Sequence, residues 1–152
     1  MRYTLDQLSA RLKQLTLPVI QKANEAIILN DKGIVDRKKA EHKAGVDSEG
    51  QLIGDYRSPS YAAFKQRLNP VAGGKVDLIL TGAYVRSLKT KSLGNGQYKV
   101  ESDDEKAKGL IAKYDPNNTG RLNTINQEVF LGRQKSVHAP LLVKKLRAKH
   151  LR

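Results

Sequence analysis

The stretch from Asp115 to Asn126 carries oxygen-bearing side chains at nearly the spacing of a calcium loop. Asp115, Asn117 and Thr119 fall at its first, third and fifth positions, Gly120 at the sixth and Leu122 at the eighth. The twelfth position, where a bidentate Glu supplies the main charge, is Asn126, and Pro116 stands at the second. Without that carboxylate the segment reads as a turn built from Asp, Pro, Asn and Gly. His42, His138 and His150 lie in three separate segments, none with a second histidine or an acid at a metal-ligand spacing, and read as surface or tail residues. The acid pairs Asp47/Glu49 and Asp103/Asp104 sit in a turn and at a helix start, where capping uses them. Gly94-Asn95-Gly96 is the nearest approach to a phosphate-cradling loop, but it lies between two candidate strands. No catalytic residue, metal ligand or cofactor site is therefore expected, and the chain does not read as an enzyme.

Electrostatics is the chemistry that does stand out. The chain has 28 Lys+Arg against 15 Asp+Glu, a formal net charge of +13. Arg133, Lys135, Lys144, Lys145, Arg147, Lys149 and Arg152 crowd the C-terminal segment, with no acid after Glu128. Such a run serves as a solvated helix face, or as a contact for DNA phosphates or an acidic neighbouring subunit. Nothing resembles a helix-turn-helix or zinc finger, so sequence-specific readout is not expected. Aromatic residues make up only 5% with no Trp, which argues against a stacking platform for single strands. The absence of cysteine removes disulfides and thiolate metal sites. No run approaches the length of a membrane span, so no membrane partner is expected, and Met1–Asp6 lacks the apolar core of a signal peptide. A reducing cytoplasm, or a particle assembled there, is the expected location.

The elements that must position these residues follow from caps and periodicity. Thr4 and Gln7 form a capping box, Tyr3 can staple on Leu8, and Leu5, Leu8, Leu12 and Leu15 recur at helical spacing. Pro18 either lies in the first turn of a second helix capped by Thr16 or kinks one long helix that ends near Leu29. Residues 34–44 lean towards helix, although 36–43 are almost wholly polar. The segment 45–74 is expected as an extended arm containing a short helix, Pro59 to Leu68, that carries Tyr61, Phe64 and Leu68. Residues 76–102 are expected as a strand followed by a hairpin turning at Gly94-Asn95-Gly96. A capping box at Ser102–Glu105 opens a helix to Tyr114 that buries Leu110 and Ile111. Gly132 closes the apolar patch Val129-Phe130-Leu131, and Pro140 starts the basic helix of the 133–152 segment. The sum is one α+β domain over residues 1–152: N-terminal helices over 4–30, a central antiparallel β-hairpin or small sheet, a short helix and a basic C-terminal helix.

Leu78, Leu80, Thr81, Gly82, Ser87 and Leu88 spell Leu-x-Leu-Thr-Gly-x-x-x-x-Ser-Leu ahead of the hairpin. Before it come Gly45-Val-Asp47-Ser-Glu-Gly50, Tyr56-Arg-Ser58-Pro59-Ser-Tyr61 and Lys65. This order resembles the neck, minor-tail and tail-completion proteins of tailed bacteriophages, over roughly Gly45 to Leu131. The resemblance implies an α+β virion protein, a structural subunit repeated as a homo-oligomeric ring at the neck or top of the tail. Such a head–tail connector joins portal to tail proteins and touches genomic DNA without specificity, after assembly in the bacterial host cytoplasm. Asp47, Tyr56, Pro59 and Tyr61 are then the expected assembly contacts, and the C-terminal cations the basic contacts. After Tyr114 the chain departs from the family pattern, and Asp115–Asn126 looks inserted. The composition also allows a basic nucleic-acid-binding protein of ribosomal or nucleoid type.

Overall fold

A computed structural model describes residues 4–79, 82–117 and 119–150. In chain order the elements are α1 (Leu5–Lys13), α2 (Leu17–Leu29), α3 (Lys32–Ala44), α4 (Pro59–Leu68), a 3-10 turn (Pro70–Ala72), α5 (Ala83–Arg86), β1 (Leu88–Gly94), β2 (Gln97–Ser102), α6 (Ala107–Tyr114), α7 (Gln127–Arg133), a π-helical turn (Gln134–His138) and α8 (Ala139–His150). Helices with one two-stranded antiparallel sheet make the α+β class expected from the sequence. The chain divides into two compact units. A helical unit combines Met1–Asn30 with Gln127–Arg152, and a mixed unit comprises Asp31–Asn126.

In the helical unit, Thr4 N–H donates to Gln7 Oε1 (3.1 Å) and Gln7 N–H to Thr4 Oγ1 (3.3 Å), the reciprocal bonds of a capping box. The Tyr3 staple lies outside the described residues. Of the two readings of Pro18, a separate second helix holds: Thr16 is extended and Pro18 occupies the first turn of α2. α2 packs on α8 and on the π-helical turn, and Ile28 is fully buried. Gly132 does not stop a helix, because α7 runs through it to Arg133. The π-helical turn just before Pro140 has a local cause. A proline ring has no N–H to donate and collides with the carbonyl four residues back, so widening the helix there relieves both problems. Leu142 and Leu146, four residues apart, are the half-buried positions of α8.

In the mixed unit, Asp31 caps α3 by accepting from Gly33 N–H (2.9 Å), and Gly45 ends it at φ +73°. β1 and β2 pair antiparallel, and Asn95 (φ +50°) with Gly96 (φ +74°) make the tight hairpin turn that Asn-Gly favours. Three parts differ from expectation. Residues 76–79 form no strand; they run between Asp55, bridged to Lys75, and α5, with Val76 N–H donating to Gly54 O (2.9 Å). The 45–74 arm is woven into the unit, with Asp47, Ser48, Ile53, Lys65 and Ala72 buried. Ser102 stays in β2 and α6 begins only at Ala107, after Ser102 Oγ accepts from Asp104 N–H (3.1 Å) and Asp104 Oδ1 from Lys106 N–H (2.8 Å). Leu110 and Ile111 of α6 are half-buried. The core joins Ile34, Val76, Leu78, Leu88, Val100 and Leu122.

Candidate functional site

The expected contact residues separate into fold-building and surface groups. The Asp47 carboxylate is buried, accepts from the N–H groups of Glu49 and Gln51 (both 2.9 Å) and lies 3.6 Å from Arg121 Nη1, so within the chain it holds its own turn. Pro59 and Tyr61 are exposed at the start of α4, where Ser58 Oγ accepts from Tyr61 N–H (3.3 Å). Tyr56 is half-buried and turned to Asp77: its Oη accepts from Asp77 N–H (3.2 Å) and donates to Asp77 Oδ1 (3.1 Å).

That contact opens onto the most unusual arrangement in the chain. Lys65 is the buried residue of α4, and its Nζ pairs with Asp77 Oδ1 (2.5 Å) and donates to Ile79 O (2.8 Å). Asn69 Nδ2 donates to Asp77 Oδ2 (2.7 Å) and to Lys43 O (2.8 Å). An ion pair removed from water survives only when its remaining bonding capacity is filled, and here both carboxylate oxygens are engaged. Burial, with the Asp77 charge beside it, pushes the Tyr56 phenol well above its usual range, so it remains a hydrogen-bond donor and not a base. Chemically this network is a brace. It is also part of the floor of an open cleft of about 570 Å³ whose lining includes Tyr61, Leu78, Tyr84 and Leu110.

The C-terminal cations stand on the helical unit. Lys135, Lys144, Lys145, Arg147 and Lys149 are exposed, and none makes an ion pair among the described residues. Arg133 is half-buried and engaged, and Arg152 lies outside the described residues. The charge is unevenly shared: Met1–Asn30 and Gln127–Arg152 together hold 11 Lys+Arg against 3 acids, whereas Asp31–Asn126 holds 17 against 12. On the hairpin, cations are neutralised locally. Lys89 and Lys91 pair with Asp103, and Lys91 and Lys99 with Glu101.

The calcium-like loop is closed by its own bonds. Asp115 Oδ1 accepts from Thr119 N–H (2.9 Å) and Oγ1 (2.7 Å), and Oδ2 from Gly120 N–H (2.8 Å). Burial alone would raise this carboxyl, yet those bonds and the Arg121 charge hold it below its ordinary value. Among the described residues no group of three His, Asp or Glu side chains is placed to hold a metal ion, and no helix is long and apolar enough to cross a membrane. The histidines correct the surface reading: His42 and His138 are both buried.

Sequence reasoning missed the Lys65–Asp77 brace. Its trace was a charge lodged inside each apolar run: Asp77 between Val76 and Leu78, and Lys65 beside Phe64. Of the motif residues, Gly82 turns at φ +74° before α5, Ser87 Oγ lies 2.6 Å from Ser102 Oγ, and buried Leu88 opens β1, so they tie the base of the hairpin. Leu80 and Thr81 lie outside the described residues. Compared with known proteins, the chain matches no family model, no curated sequence and no solved structure.

Proposed function

We propose that this chain is a structural virion subunit of a tailed bacteriophage, forming a ring at the neck or the top of the tail between portal and tail proteins. The observation that carries the proposal is the residue pattern of Leu78 to Leu88 in the sequence, followed by the hairpin. It combines the residue pattern of that family with a local structural purpose, joining the hairpin base to the braced segment 76–79. Further support comes from the uneven charge of the two units, 11 Lys+Arg against 3 acids in the helical unit and 17 against 12 in the mixed unit. In a ring, one patch meets a different patch on the next copy, and a cationic lining allows DNA to pass on non-specific phosphate contacts alone. The role is geometric, with no bond-making step, and the assembled location is the virion.

A second reading, a basic nucleic-acid-binding protein, is favoured by the unpaired cations of α8. Native mass measurement and negative-stain imaging of the concentrated protein separate the two. Closed rings of one stoichiometry with weak duplex binding are expected. A species that stays monomeric and binds random duplex tightly, with a steep salt dependence, would replace the first reading with the second.

A further inference from the structure

α4 buries a charged side chain and leaves its large apolar side chains uncovered. Its buried side is Lys65 with Asn69 just beyond its end, while Tyr61, Phe64 and Leu68 are 37%, 49% and 57% exposed. Val71 in the following 3-10 turn, 64% exposed, extends the series. The spacing 61, 64, 68 places the three α4 groups in one stripe that flanks Lys65 on the helix, and the buried brace fixes its rotation. Val71 follows beyond the break at Asn69. A contiguous apolar stripe held outward marks an interaction surface.

Tyr61 links that stripe to the cleft above the Lys65–Asp77 pair. The cleft rim carries Arg57, Lys106 and Lys113, all exposed and none ion-paired among the described residues. Its acids are committed: Asp77 to Lys65, Asp55 to Lys75 (2.6 Å), and Asp104 to the Lys106 backbone N–H. Arg57, Lys65, Lys106 and Lys113 stand against Asp55, Asp77 and Asp104, with Lys75 paired to Asp55, so the net charge around this apolar hollow is positive.

We propose that the cleft and the α4 stripe together form a docking groove for an acidic, apolar-anchored peptide segment of a partner protein. Its carboxylates meet Arg57, Lys106 and Lys113, and its apolar side chains lie along Tyr61, Phe64 and Leu68. Charge complementarity selects this occupant, because the exposed cations Arg57, Lys106 and Lys113 ring the apolar hollow itself. Aromatic geometry selects it over single-stranded nucleic acid, since the rings already have partners. Tyr56 meets Tyr61 edge-on at 4.9 Å, Tyr84 lies 5.6 Å from the His42 ring, and Lys113 Nζ sits 5.0 Å over Tyr114. Bases need open ring faces to stack upon, whereas peptide side chains need only apolar walls.

The test uses the full chain and a short fluorescein-labelled peptide in which Glu alternates with Leu and Phe, read by anisotropy. A Lys-for-Glu counterpart and an oligothymidylate serve as competitors. Arg57→Glu with Lys113→Glu is expected to weaken peptide binding by about tenfold or more, and Phe64→Ser alone by about threefold or more. Lys145→Glu with Lys149→Glu, the same charge change on α8, is expected to stay within about twofold. These side chains are exposed, and far-ultraviolet circular dichroism checks each variant's fold. Equal weakening by the α8 pair would overturn the proposal, as would displacement by oligothymidylate. A concentration-dependent mass increase abolished by Phe64→Ser would overturn it in favour of a second copy. Ring formation and peptide binding are separate readouts, so failure of either leaves the other proposal standing.

Discussion

Lys65 Nζ lies 2.5 Å from Asp77 Oδ1, with both side chains only 1% exposed. The two residues come from α4 and from the segment entering α5, so one ion pair sets the rotation of a helix and the path of an irregular strand-like stretch together. Lys65→Met strands a buried carboxylate and is expected to cost about 3–5 kcal/mol. Adding Asp77→Asn removes the orphaned charge, so the double variant should be more stable than Lys65→Met alone. Urea unfolding of the two single variants and the double variant measures the coupling. Additive losses would mean that the pair does not hold the helix.

Gly45 ends α3 at φ +73°, and a Cβ there would stand 2.9 Å from the Val76 carbonyl oxygen. Gly50 has a similar φ of +81° but open space around it. The backbone penalty, about 1–2 kcal/mol, applies to both positions, whereas the collision applies only to the first. Gly45→Ala is therefore expected to destabilise by about 3 kcal/mol and Gly50→Ala by about 1 kcal/mol. Denaturation midpoints at constant slope are the measurement, and equal losses would show that the Val76 backbone yields freely.

Much of the local structure was legible because its causes are local. Thr4 with Gln7 and Asn95-Gly96 each specify a cap or turn within a few residues, and each forms as read. The partners of Lys65, His42 and Arg121 lie far along the chain, where no periodicity records them. His42 meets the Leu122 carbonyl, and Arg121 Nη2 donates to Ile53 O and Tyr114 O. The same limit hides the two compact units from a reading of the sequence. The helical unit pairs both ends of the chain, and α2 has no local feature that names α8 as its neighbour.

The cations of α8 make a quantitative prediction for duplex binding. Each phosphate neutralised releases counterions and contributes roughly 0.9 to the slope of log affinity against log salt. Changing Lys144, Lys145, Arg147 and Lys149 to Gln should lower that slope by roughly 3.6 if these side chains carry the contact. Titrations of random duplex at several salt concentrations provide the slope. An unchanged value would place the phosphate contact elsewhere and leave α8 to an acidic protein neighbour.

His42 makes stability depend on pH in a window where few other groups change. Its ring is fully buried, with Nε2 3.2 Å from the Leu122 carbonyl oxygen. A carbonyl only accepts, so Nε2 carries the proton, and buried Nδ1 has no partner among the described residues. Burial foremost, then the Lys38 charge, lowers the pKa from 6.5 to about 4, against a weaker opposing effect of the Leu122 bond. The unfolded chain therefore takes up a proton near pH 6.5 that the folded chain refuses until about pH 4. Folded-state stability is complete above that upper value and falls as pH drops through the window, by about 2 kcal/mol between pH 7 and pH 5. Asp115, held below its ordinary value, adds its own loss only at lower pH, as the carboxylates begin to protonate. His42→Gln removes the titrating ring and should flatten the dependence between pH 7 and pH 5. Urea unfolding of both proteins across that range decides the matter, and an equally steep decline in the variant would exclude His42 as its source.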